Sequence, residues 1–129
     1  KFLKMIKKKG INIKKAKILI MGIAFKENVS DIRNSQSLEV FKKLQEKNIN
    51  IDIYDPLIKE RKIQFKKKNI YLKEKLPNKR IYNAILILTP HDKIKSISVR
   101  NILKMCKKKF ILFDMKGYLD LQIKEYIKL

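Results

Sequence analysis

Apolar and polar positions along the chain switch between a helical and an alternating period, and the switches mark its elements. Phe2, Met5 and Ile6 recur at helical spacing, and Gly10 supplies a stop. Residues 16–21 form a short, largely apolar run closed by Gly22, which predicts a buried strand. Leu38, Phe41 and Leu44 then fall at helical spacing, with Val40 and Ile49 alongside, and predict a helix over 35–48. Asn34 or Ser35 can cap it, and Glu39 in its first turn complements the helix dipole. Ile49, Ile51 and Ile53 alternate, predicting a strand over 49–54 that Asp55 and Pro56 stop.

Further along, Leu57, Ile58, Ile63 and Phe65 suggest a short helix over 57–68, and residues 70–72 suit a small strand. The clearest buried strand is 84–88, wholly apolar and ended by Thr89 and Pro90. Residues 93–106 are expected as one or two short helices with Ile94, Ile97, Ile102, Leu103 and Cys106 inward. A strand over 110–113 and a final helix over 119–127 complete the series. Strands alternating with helices imply right-handed crossovers, hence an α/β, Rossmann-like, mostly parallel sheet with helices on both faces in three αβα layers. The GxGxxG fingerprint is missing. After the first strand the chain reads Gly22-Ile23-Ala24-Phe25-Lys26-Glu27, and with Gly 3 in the whole sequence no such loop can be built. By itself this domain is not expected to bind NAD in the usual way.

Length and composition fit one ordered domain. The 129 residues are 45% hydrophobic, enough for a sizeable core. No apolar run suits a membrane span, and no signal-peptide pattern opens the chain. The single Cys106 excludes an intramolecular disulfide and suits a reducing compartment, so the expected location is cytoplasmic. The net charge of +21 points to a polyanion partner or to compositional drift. Its cations are nearly all Lys, scattered along the chain, with arginines only at Arg33, Arg61, Arg80 and Arg100. Specific nucleic-acid recognition leans on Arg forks, so drift is favoured, with weak non-specific binding at low salt.

The stretch from Gly22 to Ser35 carries the most chemistry. It joins a predicted strand to a predicted helix, where open α/β sheets place ligands, and it holds Lys26, Asp31 and Arg33. Cations beside a helix N-terminus make a seat for an anionic ligand. Apolar Ile23, Ala24 and Phe25 should anchor the loop and aim Lys26. Asp31 is expected to hold the loop by pairing Arg33 or Lys26, or by accepting backbone N–H groups. Asp55 reads as a turn former. His91 ends a buried strand, where an active-site role is conceivable, although local pairing or capping of the next helix is the commoner outcome. A lone His and a lone Cys leave no metal cluster.

The pattern Gly22, Phe25, Lys26, Asp31, Arg33, Ser35 resembles the signature opening the C-terminal, UDP-binding domain of the UDP-glucose/GDP-mannose dehydrogenase family. Glu27-Asn28 and Asn34-Ser35 are most similar to its bacterial UDP-N-acetylhexosamine 6-dehydrogenase branch. Further matches follow in order: Ile53 to Pro56, Ala84 to Asp92, and Phe113 to Gly117. The resemblance implies that residues 1–10 end an inter-domain linker helix and that 11–129 form a nucleotide-sugar-binding domain. The NAD-binding and central helical domains would lie upstream of Lys1, outside this chain. It implies that Phe25 and Lys26 contact a UDP-sugar, that Lys116 stands where the family often has Arg near the substrate, and that Arg33 reaches NAD held mainly by the upstream domain.

The implied whole is a cytoplasmic, homodimeric, NAD-dependent enzyme oxidising the C6 alcohol of a UDP-hexose or UDP-N-acetylhexosamine to a uronate for surface polysaccharide. The family's catalytic cysteine lies in a Gly/Pro-rich motif absent here. Cys106, between Met105 and Lys107 on the apolar side of an expected helix, is therefore not catalytic, and the fragment alone is expected to be inactive. A stand-alone, non-catalytic nucleotide-binding module is the main alternative, and a basic nucleic-acid binder the other. The motifs do not choose the sugar.

Overall fold

A computed structural model of the chain describes residues 2–128. Its frame is a parallel five-stranded sheet in the order β2-β1-β5-β6-β7. These strands are β1 (Lys17–Met21), β2 (Asn50–Tyr54), β5 (Tyr82–Ile87), β6 (Cys106–Asp114) and β7 (Tyr126–Lys128). The central strands β1 and β5 register Ile18 with Ala84 and Met21 with Ile87. Both are buried on two faces, which explains their near-continuous apolar sequence.

Alternate strand residues feed two cores. Ile18, Ile20, Ala84, Leu86 and Ile111 face α1 (Phe2–Lys8) and α2 (Gln36–Gln45), meeting Ile6, Leu38, Phe41 and Leu44. Leu19, Met21, Ile85, Ile87 and Leu112 face the opposite side, where α3 (Asp92–Lys95) and α4 (Val99–Lys104) bring Ile94 and Ile102. The three-layer α/β expectation therefore stands. α1 ends as its sequence suggests: Gly10 takes φ 81, and its N–H donates to the Lys7 carbonyl while that of Ile11 donates to the Ile6 carbonyl. No helix among the described residues is long and apolar enough to cross a membrane.

Two expected helices are strands. Within 57–68 and beyond, β3 (Lys62–Phe65) and β4 (Lys68–Tyr71) form an antiparallel hairpin, with Phe65 opposite Lys68. Ile63 and Ile70 pair across it and are buried, a period-two pattern overlooked because the turn is Lys66-Lys67. Both turn residues take positive φ, 49 and 66, as a two-residue hairpin loop demands, yet neither is the usual Asn or Gly. The final helix over 119–127 is also absent. Asp120 sits at φ 52, which breaks any helical run, and residues 126–128 instead add β7 beside β6. Cys106 is not on a helix but opens β6.

Candidate functional site

The loop from β1 to α2 is built by its own side chains. Gly22 turns the chain out of β1 at φ 87, and a Cβ there would lie 2.1 Å from the Thr89 carbonyl oxygen, so only glycine fits. The Phe25 N–H donates to the Asp31 carbonyl at 2.6 Å, closing the loop on itself. Asn28 and Asn34 occupy left-handed positions, φ 64 and 59, which their short polar side chains tolerate. Ser35 then ends the loop: its Oγ donates to the Ile23 carbonyl at 2.6 Å and accepts the Leu38 N–H at 3.1 Å, capping α2.

Within the loop, Asp31 and Arg33 form an ion pair on its exposed side. The Arg33 Nη2 lies 2.8 Å from Asp31 Oδ2, and Asp31 Oδ1 also accepts the Arg33 backbone N–H at 2.9 Å. The hydrogen bonds from the Arg33 side chain and backbone hold the Asp31 carboxyl at about 2. The Arg33 side chain is 86% exposed.

A cavity of about 300 Å³ opens between this loop, the N-terminus of α2 and the segment after β6. Phe25, Lys26, Ser37, Thr89, Met115 and Lys116 are among its lining, and Glu27 adds one carboxylate. Phe25 is exposed despite its size, 53%. Thr89 Oγ1 donates to the Ala24 carbonyl at 3.3 Å, which leaves Ser37 Oγ as donor in the 3.0 Å bond between the two hydroxyls. The cavity thus lies at the carboxyl ends of β1, β5 and β6, with two ammonium groups against one carboxylate.

Lys116, far away in sequence, therefore meets the neighbouring Phe25 and Lys26 on one cavity, whereas Arg33 does not line it. Lys116, not Arg33, is the second cation beside Lys26. Sequence reasoning missed Ser37, Thr89 and Met115, whose only signal is position: the first turn of α2 and the residues just past β5 and β6.

Behind the cavity lies a buried polar pair that the sequence hinted at only through His91. His91 Nε2 is 3.0 Å from Asp55 Oδ2, and both side chains are 0% exposed. Asp55 Oδ2 also accepts the Ile23 N–H at 2.8 Å and Oδ1 the Leu57 N–H at 2.9 Å. The Asn28 N–H donates to His91 Nδ1 at 2.8 Å, and Asn28 Oδ1 accepts the Asp92 N–H at 2.8 Å. His91 stands at the N-cap of α3 but makes no side-chain cap. Asp55 does form the Asp-Pro turn, through Leu57, and anchors the neighbouring loop besides.

Residues 19–121 match the model of the UDP-glucose/GDP-mannose dehydrogenase family, UDP binding domain. A UDP-N-acetyl-D-glucosamine 6-dehydrogenase from Pseudomonas aeruginosa is 30% identical over 117 residues, spanning 91% of this chain and 27% of the relative. A UDP-N-acetyl-D-mannosamine dehydrogenase from Methanococcus maripaludis is 35% identical over 114 residues, 87% of this chain and 25% of the relative. The chain thus spans about a quarter of the curated relatives it matches. The solved structure of a UDP-D-ManNAc dehydrogenase from Pyrococcus horikoshii superposes with a TM-score of 0.73 at 21% identity, covering 98% of this chain and 28% of that one. At that identity the likeness speaks for the fold.

Proposed function

The chain belongs to the UDP-glucose/GDP-mannose dehydrogenase family, and on that premise we propose that its cavity seats the diphosphate end of a UDP-sugar. The joint lining of one cavity by Phe25, Lys26 and Lys116 carries the reading. The exposed Phe25 ring offers a flat apolar face to a base or sugar. Lys26 and Lys116 answer the pyrophosphate charge, Lys116 as a point charge and not as an Arg fork. The start of α2 adds its positive dipole end. Glu27 keeps the seat only modestly cationic, so a diphosphate must also be recognised by shape.

In the whole protein this seat would serve NAD-dependent oxidation of the sugar's C6 alcohol to a uronate. NAD supplies the hydride acceptor, and this chain's own residues do not build its site. The turn after β1 has a single glycine, and the Thr89 carbonyl already fills the space beside it. The dinucleotide would belong to an upstream domain, and Arg33, exposed although paired with Asp31, would be the residue that faces it. The work of this chain is to hold the nucleotide and to present the sugar as the domains close and water leaves. Cys106 takes no part, because burial keeps its thiol protonated far above neutral pH.

Calorimetric titration of the chain with UDP tests the seat. Lys26→Ala is expected to weaken binding at least about tenfold, the loss of a charge-assisted hydrogen bond of about 1.5–3 kcal/mol. Unchanged affinity removes Lys26 from the site. Arg33→Ala should leave UDP affinity as it is, and a marked loss would move Arg33 into the nucleotide seat.

A further inference from the structure

His91 gathers three strand-end loops onto one imidazole. A backbone N–H can only donate, so the Asn28 N–H at 2.8 Å requires a lone pair on Nδ1. The ring proton therefore sits on Nε2 and is donated to Asp55 Oδ2 at 3.0 Å. Asp55 is itself fixed by the Ile23 and Leu57 N–H groups, and it is the charged side chain bonded to the ring. Ile23 is thus tied to the carboxylate and Asn28 to the imidazole. Phe25 and Lys26 lie between these two anchors. The Asn28 side chain returns the bond by accepting the Asp92 N–H at 2.8 Å.

We propose that His91 is a positioning residue: neutral, protonated on Nε2 and backed by Asp55, it clamps the 23–28 segment so that Phe25 and Lys26 are held ready for the nucleotide diphosphate. The inference rests on the nucleotide reading of the cavity and adds to it a residue that touches no ligand. Ordering the segment before the ligand arrives removes an entropic cost that binding would otherwise carry.

The test uses the full chain, with UDP as the probe. In the wild type, nitrogen-15 spectra of the His91 ring should show an unprotonated Nδ1 coupled to the Asn28 amide and a proton on Nε2. His91→Phe fills the site but removes both bonds. It should speed hydrogen exchange of the Asn28 amide by about tenfold or more and weaken UDP binding by about tenfold. His91→Asn places an amide oxygen near the former Nδ1, and should restore most of the Asn28 protection and of the UDP affinity. A proton on Nδ1, a folded His91→Phe chain with unchanged exchange and affinity, or a failure of His91→Asn to rescue would each overturn the clamp. If His91→Phe does not fold, the wild-type ring spectrum and His91→Asn decide. A wild-type chain without affinity for UDP refutes the nucleotide reading, and Asn28 exchange still decides whether His91 holds the loop.

Discussion

At Cys106 the sulfur sits 3.6 Å from the Ile102 carbonyl at the start of β6, in the core that α4 covers. Burial pushes its thiol from 9.0 up to about 12, and the Arg80 guanidinium pulls it back only in part. The unfolded chain releases this proton first as pH rises, so the stability that the group contributes is complete below 9.0 and is lost as pH climbs towards 12. Asp31 has the opposite sign: its pairing with Arg33 persists above 3.8 and fades as pH falls towards 2. At neutral pH a disulfide reagent should label native Cys106 at least about a hundredfold more slowly than the denatured chain, through rare opening alone. Fast labelling of the folded protein would show that the β6 entrance is open.

Among the elements, α2 depends most on one residue. Ser35 both caps the helix and satisfies the Ile23 carbonyl, and it is 1% exposed. Ser35→Ala removes the cap and leaves a buried carbonyl unpaired, and should lower unfolding free energy by about 1–3 kcal/mol in urea titration. A change within a few tenths would mean that water replaces the hydroxyl. Elements with a strong period, such as β1, α2 and β5, were legible in the sequence because burial on one or two faces writes itself into every position. The β3–β4 hairpin was not, since Lys66 and Lys67 hide a left-handed turn behind residues that give no turn signal. β7 was not either, because it exists by pairing with β6, reinforced where the Asp114 carboxylate accepts the Tyr126 hydroxyl at 2.8 Å, contacts no local pattern encodes. The cavity's Phe25 and Lys26 were legible from their loop. The Asp55–His91 pair was not, because its partners come from separate loops that only the sheet order brings together.

For the whole molecule, a net charge of +21 dominates behaviour at a distance. Its lysines are spread over many faces, including the hairpin tip at Lys66 and Lys67, the end of α1 and the outer half of β6. Such a surface should bind single-stranded homopolymers at about 50 mM salt and release them near 200 mM, with a linear log–log salt slope. Gel shifts in which one sequence survives at high salt would instead reveal a specific site.

The sheet order also sets a timetable for biosynthesis. β1 lies inside the sheet, between β2 and β5, yet its inner neighbour β5 is made long after it, and Ile18 waits for Ala84. While the ribosome is still translating the hairpin, the apolar edge of Lys17–Met21 has only β2 beside it. A nascent chain stalled before residue 82 should therefore be sticky and dependent on chaperones, and release should come abruptly once β5 emerges and slots into place.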